Sequence, residues 1–236
     1  MAFEFESIGI VHSCFKEKFG IPRQPGLVDE ATAVLELLPP YNCAEAVRGI
    51  EQFSHIWVLF VFHGCLRSKW KPTVRPPRLG GNERIGVFAS RATYRPNPIG
   101  MSPVMLERVE MGDREVFLHL KGVDLLDGTP VIDIKPYIPY ADSLAQASGG
   151  FAHHMPPIKH LITFTPEAEQ RCAELSKCYP NLRRMIEQLL ESDPRPAYKE
   201  GDEGRIYGMR VWDFDLQWRV MGDRVEVLAL LELKTQ

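Results

Sequence analysis

Through the first half of the chain, apolar positions come in short alternating or continuous runs separated by turn-rich connections, a period-two pattern that predicts strands. Such runs cover residues 3–11, 31–38 and 55–62, then 85–89, 102–110 and 115–123, the last two joined by Met111-Gly112-Asp113 as a hairpin turn. One stretch differs. Ala46, Val47 and Ile50 share a helical face, which predicts a short helix over 44–52. Strands at this spacing predict a mainly β protein whose sheet closes into a barrel.

The pattern changes near residues 149–159, GGFAHHMPPIK, where glycines and prolines mark a boundary between a first domain over 1–150 and a smaller one over 160–236. Thr165 can cap a helix that holds Pro166 in its first turn and runs toward Tyr179. Asn181 can cap a second, running to about Ser192 before Asp193-Pro194 stops it. Trp212, Phe214, Leu216, Trp218 and Val220 then alternate with polar residues, and Gly222-Asp223 turns the chain into a strand over 225–233. The second domain is thus a small α+β unit of two helices and a β-hairpin. Its tryptophans read as core packing in preference to base stacking.

Length and composition bound the rest. At 236 residues and 44% hydrophobic content the chain can bury a sizeable core. Its five cysteines are odd in number and form no CxxC pair, which argues against a disulfide framework or a thiolate zinc site and predicts a reduced, cytoplasmic setting. There is no apolar run of membrane-spanning length and no secretory layout at the start, so no membrane partner is expected. The net charge of −3 hides an uneven distribution. From Arg67 to Arg95 stand Lys69, Lys71, Arg75, Arg78, Arg84 and Arg91 against the single acid Glu83, interleaved with Trp70 and Tyr94. That is a footprint for a polyanion, though a solvated basic loop would look the same.

Two motifs carry the candidate chemistry. RATYRPNPIGMS, Arg91 to Ser102, has Arg95 and Asn97 each before a proline, which holds them extended and closes a stiff binding loop at Gly100. DGTPVIDIKPYIPYAD, Asp127 to Asp142, opens on a turn and continues as a strand with Asp133, Lys135 and Tyr137 in a row, opposite Ile132, Ile134 and Ile138. An acid, a cation and a phenol so placed can shift one another's proton affinity, as a general base requires. A third stiffened loop, 21–27, carries Arg23 and Gln24, and a guanidinium suits two-point contact with carboxylate or phosphate. His63-Gly64 ends an apolar strand, where a ligand contact and a buried histidine are both open readings. His153, His154 and His160 lack ligand companions at metal spacing, so no metal is expected. Dinucleotide, Walker and GxSxG signatures are missing.

RPPRLGGNERIGVFAS, RPNPIG and DGTPVIDIKPYIPYAD resemble the TrmO family, also called TsaA-like or YaeB-like proteins, over roughly residues 3–142, and the remainder is similar in layout to that family's small C-terminal domain. The resemblance implies a closed-barrel, S-adenosylmethionine-dependent tRNA methyltransferase that works as a homodimer with the cofactor near the interface. It implies methylation of the exocyclic amine of threonylcarbamoyl-adenosine beside the anticodon. By motif, it implies cofactor contacts from Pro22, Arg23, Gln24, His63, Gly64, Arg91, Met101, Asp127, Gly128 and Thr129. Where the family usually has Thr-Arg-Ser-Pro-Phe-Arg, this chain has Ser90-Arg91-Ala92-Thr93-Tyr94-Arg95, keeping both arginines.

Asp133 is the candidate base, with Tyr137 orienting or relaying and Lys135 tuning the carboxylate; Arg95, Asn97, Arg75, Arg78 and Tyr140 are candidate substrate contacts. The competing class is a non-catalytic RNA- or nucleotide-binding adaptor barrel, which needs the basic loop but no sulfonium pocket. A hydrolase built on His63 ranks last, because no nucleophile motif accompanies it.

Overall fold

Alternate side chains of β1 (Gly9–Ser13), β2 (Thr32–Leu37) and β3 (His55–Val61) enter one core, where Val11, Leu35, Ile56 and Val58 are completely buried. The computed structural model describes residues 2–66, 69–158, 160–191, 193–195 and 204–233. Helix α1 (Ala44–Val47) and a 3-10 turn at Ile50–Gln52 connect β2 to β3. A long excursion follows, carrying a two-stranded ribbon of β4 (Thr73–Val74) and β5 (Ile85–Gly86). The chain returns as β6 (Ile99–Gly112), β7 (Glu115–Lys121) and β8 (Thr129–Pro136). The six long strands close in the order β1-β2-β7-β6-β3-β8, every pairing antiparallel. Closure leaves no free sheet edge.

Helix α2 (Pro139–Asp142) leaves the barrel, and β9 (Leu161–Phe164) begins a second unit. Helices α3 (Pro166–Leu175) and α4 (Leu182–Glu191) are followed by β10 (Ile206–Val211), β11 (Phe214–Met221) and β12 (Arg224–Glu232). Their sheet runs β10-β11-β12-β9, with β9 parallel to β12. Thr165 caps α3 as expected, its hydroxyl accepting from the Ala168 N–H at 3.2 Å. On α4, Leu182, Met185, Ile186, Leu189 and Leu190 are buried, a single apolar stripe at helical spacing.

Several boundaries move for physical reasons. β1 starts at Gly9, six residues later than predicted, because its ladders end at Leu37 of β2 and Val131 of β8; Phe3 and Phe5 stand exposed. Of residues 85–89, only Ile85 and Gly86 form a strand, and Val87–Ala89 turn inward to bury Val87. Asn181 does not cap α4 from an extended conformation. Its φ is 61°, and its amide donates to Glu30 at 2.9 Å. Trp212 belongs to the β10–β11 turn with φ 48°, so the predicted hairpin is two strands of a four-stranded sheet. Arg67, Lys159 and the predicted helix end at Ser192 lie outside the described residues.

The two units share one hydrophobic core, and residues 14–20 join them. Phe15, 1% exposed, bridges Leu126 at the barrel end and Val211 of β10. Trp212 donates its N–H to the Cys14 carbonyl at 2.8 Å, and Arg210 donates its N–H to the Glu17 carboxylate at 3.0 Å. Phe19 stacks on Trp218 at 6.0 Å, which in turn stacks on Tyr207. Gly20, at φ 87°, presses against Met209 with no room for a Cβ. Burial pushes the Cys14 thiol up to about 12, which makes it an inert packing residue. Phe15→Ala should therefore lower the unfolding free energy by about 3–5 kcal/mol, read from urea denaturation, and should destabilise both units together.

Candidate functional site

The barrel end where β3 finishes and β8 begins gathers most of the predicted cofactor residues. His63 opens a 3-10 turn directly after β3, and its Nδ1 lies 3.5 Å from the hydroxyl of buried Thr129. Lys18 donates its ammonium to the Gly64 carbonyl, and a Cβ on Gly64 would approach the Lys18 side chain to 2.6 Å. The turn Asp127-Gly128 is pinned to β1 from several sides. Asp127 accepts the Ser13 N–H at 2.9 Å, pairs with Lys16 at 2.9 Å and donates its own N–H to the Phe15 carbonyl at 2.9 Å. Gly128 takes φ 74° while donating to the Val11 carbonyl at 2.8 Å. Asp127 therefore acts first as the anchor of this turn.

Two further loops meet each other, and one of them is tied to the barrel where Gly26 donates its N–H to the Gly122 carbonyl at 2.9 Å. Arg91 donates to the Gln24 side-chain carbonyl, which joins the 21–27 loop to the RPNPIG loop. Arg23 stays exposed, and Gln24 donates back to the Arg23 carbonyl. Within the RPNPIG loop, Arg95 donates to the Ser90 carbonyl at 3.3 Å, so one of its two arginines is partly spent holding loop shape. The loop closes at Gly100 for a reason of space. Phe60 packs over that backbone, and a Cβ would run into its ring.

Beneath Arg91 stands a residue that sequence reasoning missed. Asp124, partly buried, accepts the hydroxyl of Ser102 at 2.7 Å, and Ser102 is only 2% exposed. Burial pushes the Asp124 carboxyl up to about 6, against the lowering effects of Ser102, its own backbone N–H and the Arg91 charge. The signal was available: an acid inside the apolar run Gly122-Val123-Asp124-Leu125-Leu126.

The Asp133 row lies elsewhere on the barrel. Leu59 pairs with Asp133 and Phe60 with Val131, so a bulge at Ile132 breaks the alternation of β8. Without it, Asp133 would share the inward face of Val131; with it, Asp133 and Lys135 sit on the outer face beside Leu59 and Trp57. Lys135 pairs with Asp133 at 2.7 Å, and the second Asp133 oxygen accepts the Ile134 N–H at 2.9 Å. Tyr137 packs between His55 and Trp57, and Asp142 holds this corner by accepting the Trp57 indole N–H at 3.0 Å and the Ile138 N–H at 2.8 Å. Along β8, Asp133 is about 13 Å from Thr129.

Met101 connects the two regions. It lies opposite Leu59, which lies opposite Asp133, so Met101 and Asp133 share an outer-face row with their backbones about 10 Å apart. That row belongs to an apolar surface of Trp57, Leu59, Val61, Ile99, Met101 and Met105, with Met101 57% exposed. Pro22 adjoins the Gln24 loop. Asn97, Arg75, Arg78 and Tyr140 are exposed, and Arg78 donates to the His154 carbonyl, which ties the basic excursion to residues 150–154. A cleft of about 360 Å³ between Ile8, Tyr41, α1, Phe53 and Asp133 opens at the far end of the barrel and contains none of the cofactor candidates. Among the described residues, no group of three or more His, Cys, Asp or Glu could hold a metal ion, and no helix is long and apolar enough to cross a membrane.

Residues 10–143 match the family model described as the tRNA-methyltransferase O N-terminal domain, and residues 157–233 match that of the TrmO C-terminal domain. The chain is 53% identical over 230 residues to the Escherichia coli protein named tRNA (adenine(37)-N6)-methyltransferase, covering 97% of this chain and 98% of that one. It is 50% identical over 234 residues to a Pseudomonas aeruginosa protein named putative S-adenosylmethionine-dependent methyltransferase RcsF, covering 99% and 98%. A crystal structure of TrmO from Pseudomonas aeruginosa superposes with a TM-score of 0.82 at 43% identity, covering 98% of each chain.

The Asp124 carboxyl yields a stability prediction. Its folded value near 6 lies above its value in the unfolded chain, so ionisation costs the folded state free energy above about pH 6 and nothing below about pH 4. Asp124→Asn should thus raise the unfolding free energy at pH 8 by about 2–3 kcal/mol, a gain that vanishes in denaturation curves at pH 4.

Proposed function

The chain belongs to the tRNA-methyltransferase O family, and from that premise we propose that it methylates the exocyclic amine of threonylcarbamoyl-adenosine beside the tRNA anticodon, in the cytoplasm, with S-adenosylmethionine as donor. The observation that carries the reading is the convergence of the 21–27 loop, His63-Gly64, Arg91 and the Asp127-Gly128-Thr129 turn at one barrel end. The donor set fits the cofactor: guanidinium and amide groups of Arg23, Arg91 and Gln24 suit its carboxylate, and backbone at Gly64 and Gly128 allows close approach. When bound, S-adenosylmethionine supplies a methyl group on a sulfonium sulfur, whose departure neutralises that sulfur.

Transfer forms a nitrogen–carbon bond as the carbon–sulfur bond breaks, and the amine proton must leave. The nitrogen carries a carbonyl substituent, which withdraws its lone pair and acidifies that proton. Asp133 receives the proton in this reading, with Lys135 holding the carboxylate and Tyr137 set by His55 and Trp57 to orient the purine. Positioning supplies much of the remainder, which suits loops already stiffened by Pro96 and Pro98. Arg75, Arg78, Arg95, Asn97 and Tyr140 hold the tRNA by charge and stacking.

The same reading makes the protein a homodimer packed through the outer face of β3 and β6. Its support is the run of Trp57, Leu59, Val61, Ile99, Met101 and Met105 on a barrel surface that would otherwise face water. Such a dimer covers Met101 and sets the Asp133 row beside a second subunit.

Three experiments test these readings. Nucleosides from tRNA incubated with the pure protein and S-adenosylmethionine, analysed by mass spectrometry, should gain one methyl on threonylcarbamoyl-adenosine. Asp133→Asn should bind the cofactor with unchanged affinity and lose at least about 100-fold in turnover. Unchanged methylation would remove Asp133 from the chemistry. Leu59→Arg should convert a dimer to a monomer in analytical ultracentrifugation, and a monomeric wild type would remove the interface.

A further inference from the structure

The structure assigns Asp124 a role outside the motif residues: we propose that its carboxylate is the counter-charge for the positive end of S-adenosylmethionine. The inference rests on the methyl-donor reading above and names a partner for the charge which that reading leaves without one. S-adenosylmethionine carries a sulfonium and an ammonium against a single carboxylate. The loop residues Arg23 and Arg91 can satisfy the carboxylate but repel both cations. A site of this kind needs an acid.

The acids around the barrel end have different commitments. Asp127 is spent on Lys16 and the Ser13 N–H, and Glu17 accepts from Arg210 in the second unit. Asp133 is paired with Lys135 on the outer face. Among the described residues, Asp124 and Glu17 are the two of the four with no cation within ion-pair distance, and Glu17 is committed to the backbone N–H of Arg210. Asp124 is held by the neutral hydroxyl of Ser102, and Arg91 is the side-chain charge that acts on it.

A carboxylate placed so has a cost and no structural return, since an amide would serve Ser102 equally well. Burial has already moved its titration to about 6, the behaviour of an acid held without a counter-ion. Buried acids of this type at a ligand-binding end are candidates for function, because the ligand can restore what the fold withholds. Arg91 then has two uses. It faces the cofactor carboxylate, and in the free protein it partly offsets Asp124 without pairing with it.

Cation binding favours ionised Asp124, so it must be linked to protons. Below about pH 6 the carboxyl is protonated in the free protein, and binding should weaken and release a proton. Isothermal titration of S-adenosylmethionine and of S-adenosylhomocysteine into wild type and Asp124→Asn, from pH 5.5 to 8 in two buffers of different ionisation enthalpy, reads this directly. The expected result is at least a roughly tenfold weaker affinity of Asp124→Asn at pH 7.5, with loss of the proton released near pH 6. His63 also stands at this end, and its contribution survives in Asp124→Asn and can be subtracted.

The two ligands divide the outcome further: a loss confined to S-adenosylmethionine assigns the sulfonium, and an equal loss for both assigns the ammonium. Unchanged affinity, or wild-type binding without proton release, overturns the proposal. Should Asp124→Asn fail to fold, Ser102→Ala keeps the test alive. It retains the charge but removes the donor that favours it, so the proton-linked step should move to higher pH, and a fixed step refutes the proposal. Failure of wild type to bind at pH 8 is a different result, which sinks the methyl-donor reading first and this one with it.

Discussion

The docking of residues 13–20 between the barrel end and the second sheet is the constraint on which the site depends. Phe15 is bonded through its backbone to both units, and Ser13 and Lys16 hold the Asp127 turn from the same segment. The chain then passes Lys18, which reaches the Gly64 carbonyl, and Gly20, which fits against Met209, before entering the loop of Arg23 and Gln24. One continuous stretch thus sets the positions of three separate backbones of the candidate site. Loops fixed in this way lose little entropy when a ligand arrives. The second unit consequently acts on the barrel end through this segment, since removing its sheet would release Phe15, Phe19 and Gly20 at once.

Charge over the barrel is distributed with the same economy of contacts. Lys16 and Asp127 cancel within the turn, Lys135 and Asp133 cancel on the outer face, and Arg91 leans on a side-chain carbonyl. Paired groups shape the site; unpaired ones respond to what enters it. Asp124 has no cation paired with it among the described residues, and burial raises its titration to about 6. The protein's net charge of −3 conveys none of this, because the decisive terms are local.

How much was legible in the sequence follows from which forces act locally. The barrel strands were readable because period-two alternation survives wherever one face is buried, as in β3 with Ile56, Val58 and Phe60 turned inward. Thr165 and Pro166 announced α3 because capping is a property of neighbours in sequence. By contrast, the face occupied by Asp133 depended on the bulge at Ile132, which arises from pairing with β3 and leaves no mark in the composition of β8. Asn181 was misassigned for a similar reason, its amide being taken by Glu30 of the other unit. The motif loops were visible through their prolines and glycines, whereas Asp124 is joined to Ser102 across 22 positions of chain. β9 and β10 were missed because their partners, β12 and β11, decide their existence.

The placement of Met101 ties the catalytic question to assembly. Its neighbours Gly100 and Ser102 face inward, toward Phe60 and Asp124, while Met101 itself points out with Leu59 and the Asp133 row. A ligand that touches both Arg91 and Met101 must therefore cross the rim of the barrel, from the loop-lined end to the apolar outer wall. On an isolated subunit that wall is open to water, which would screen the charges at Asp133 and Lys135 and solvate any amine brought to them. A second apolar surface laid against Trp57, Leu59 and Ile99 would remove that water and turn an open rim into a walled groove. The bulge in β8 sets the geometry for that proposal: by rotating Asp133 out of the core, it puts the acid on the same outer face as Leu59 and Met101.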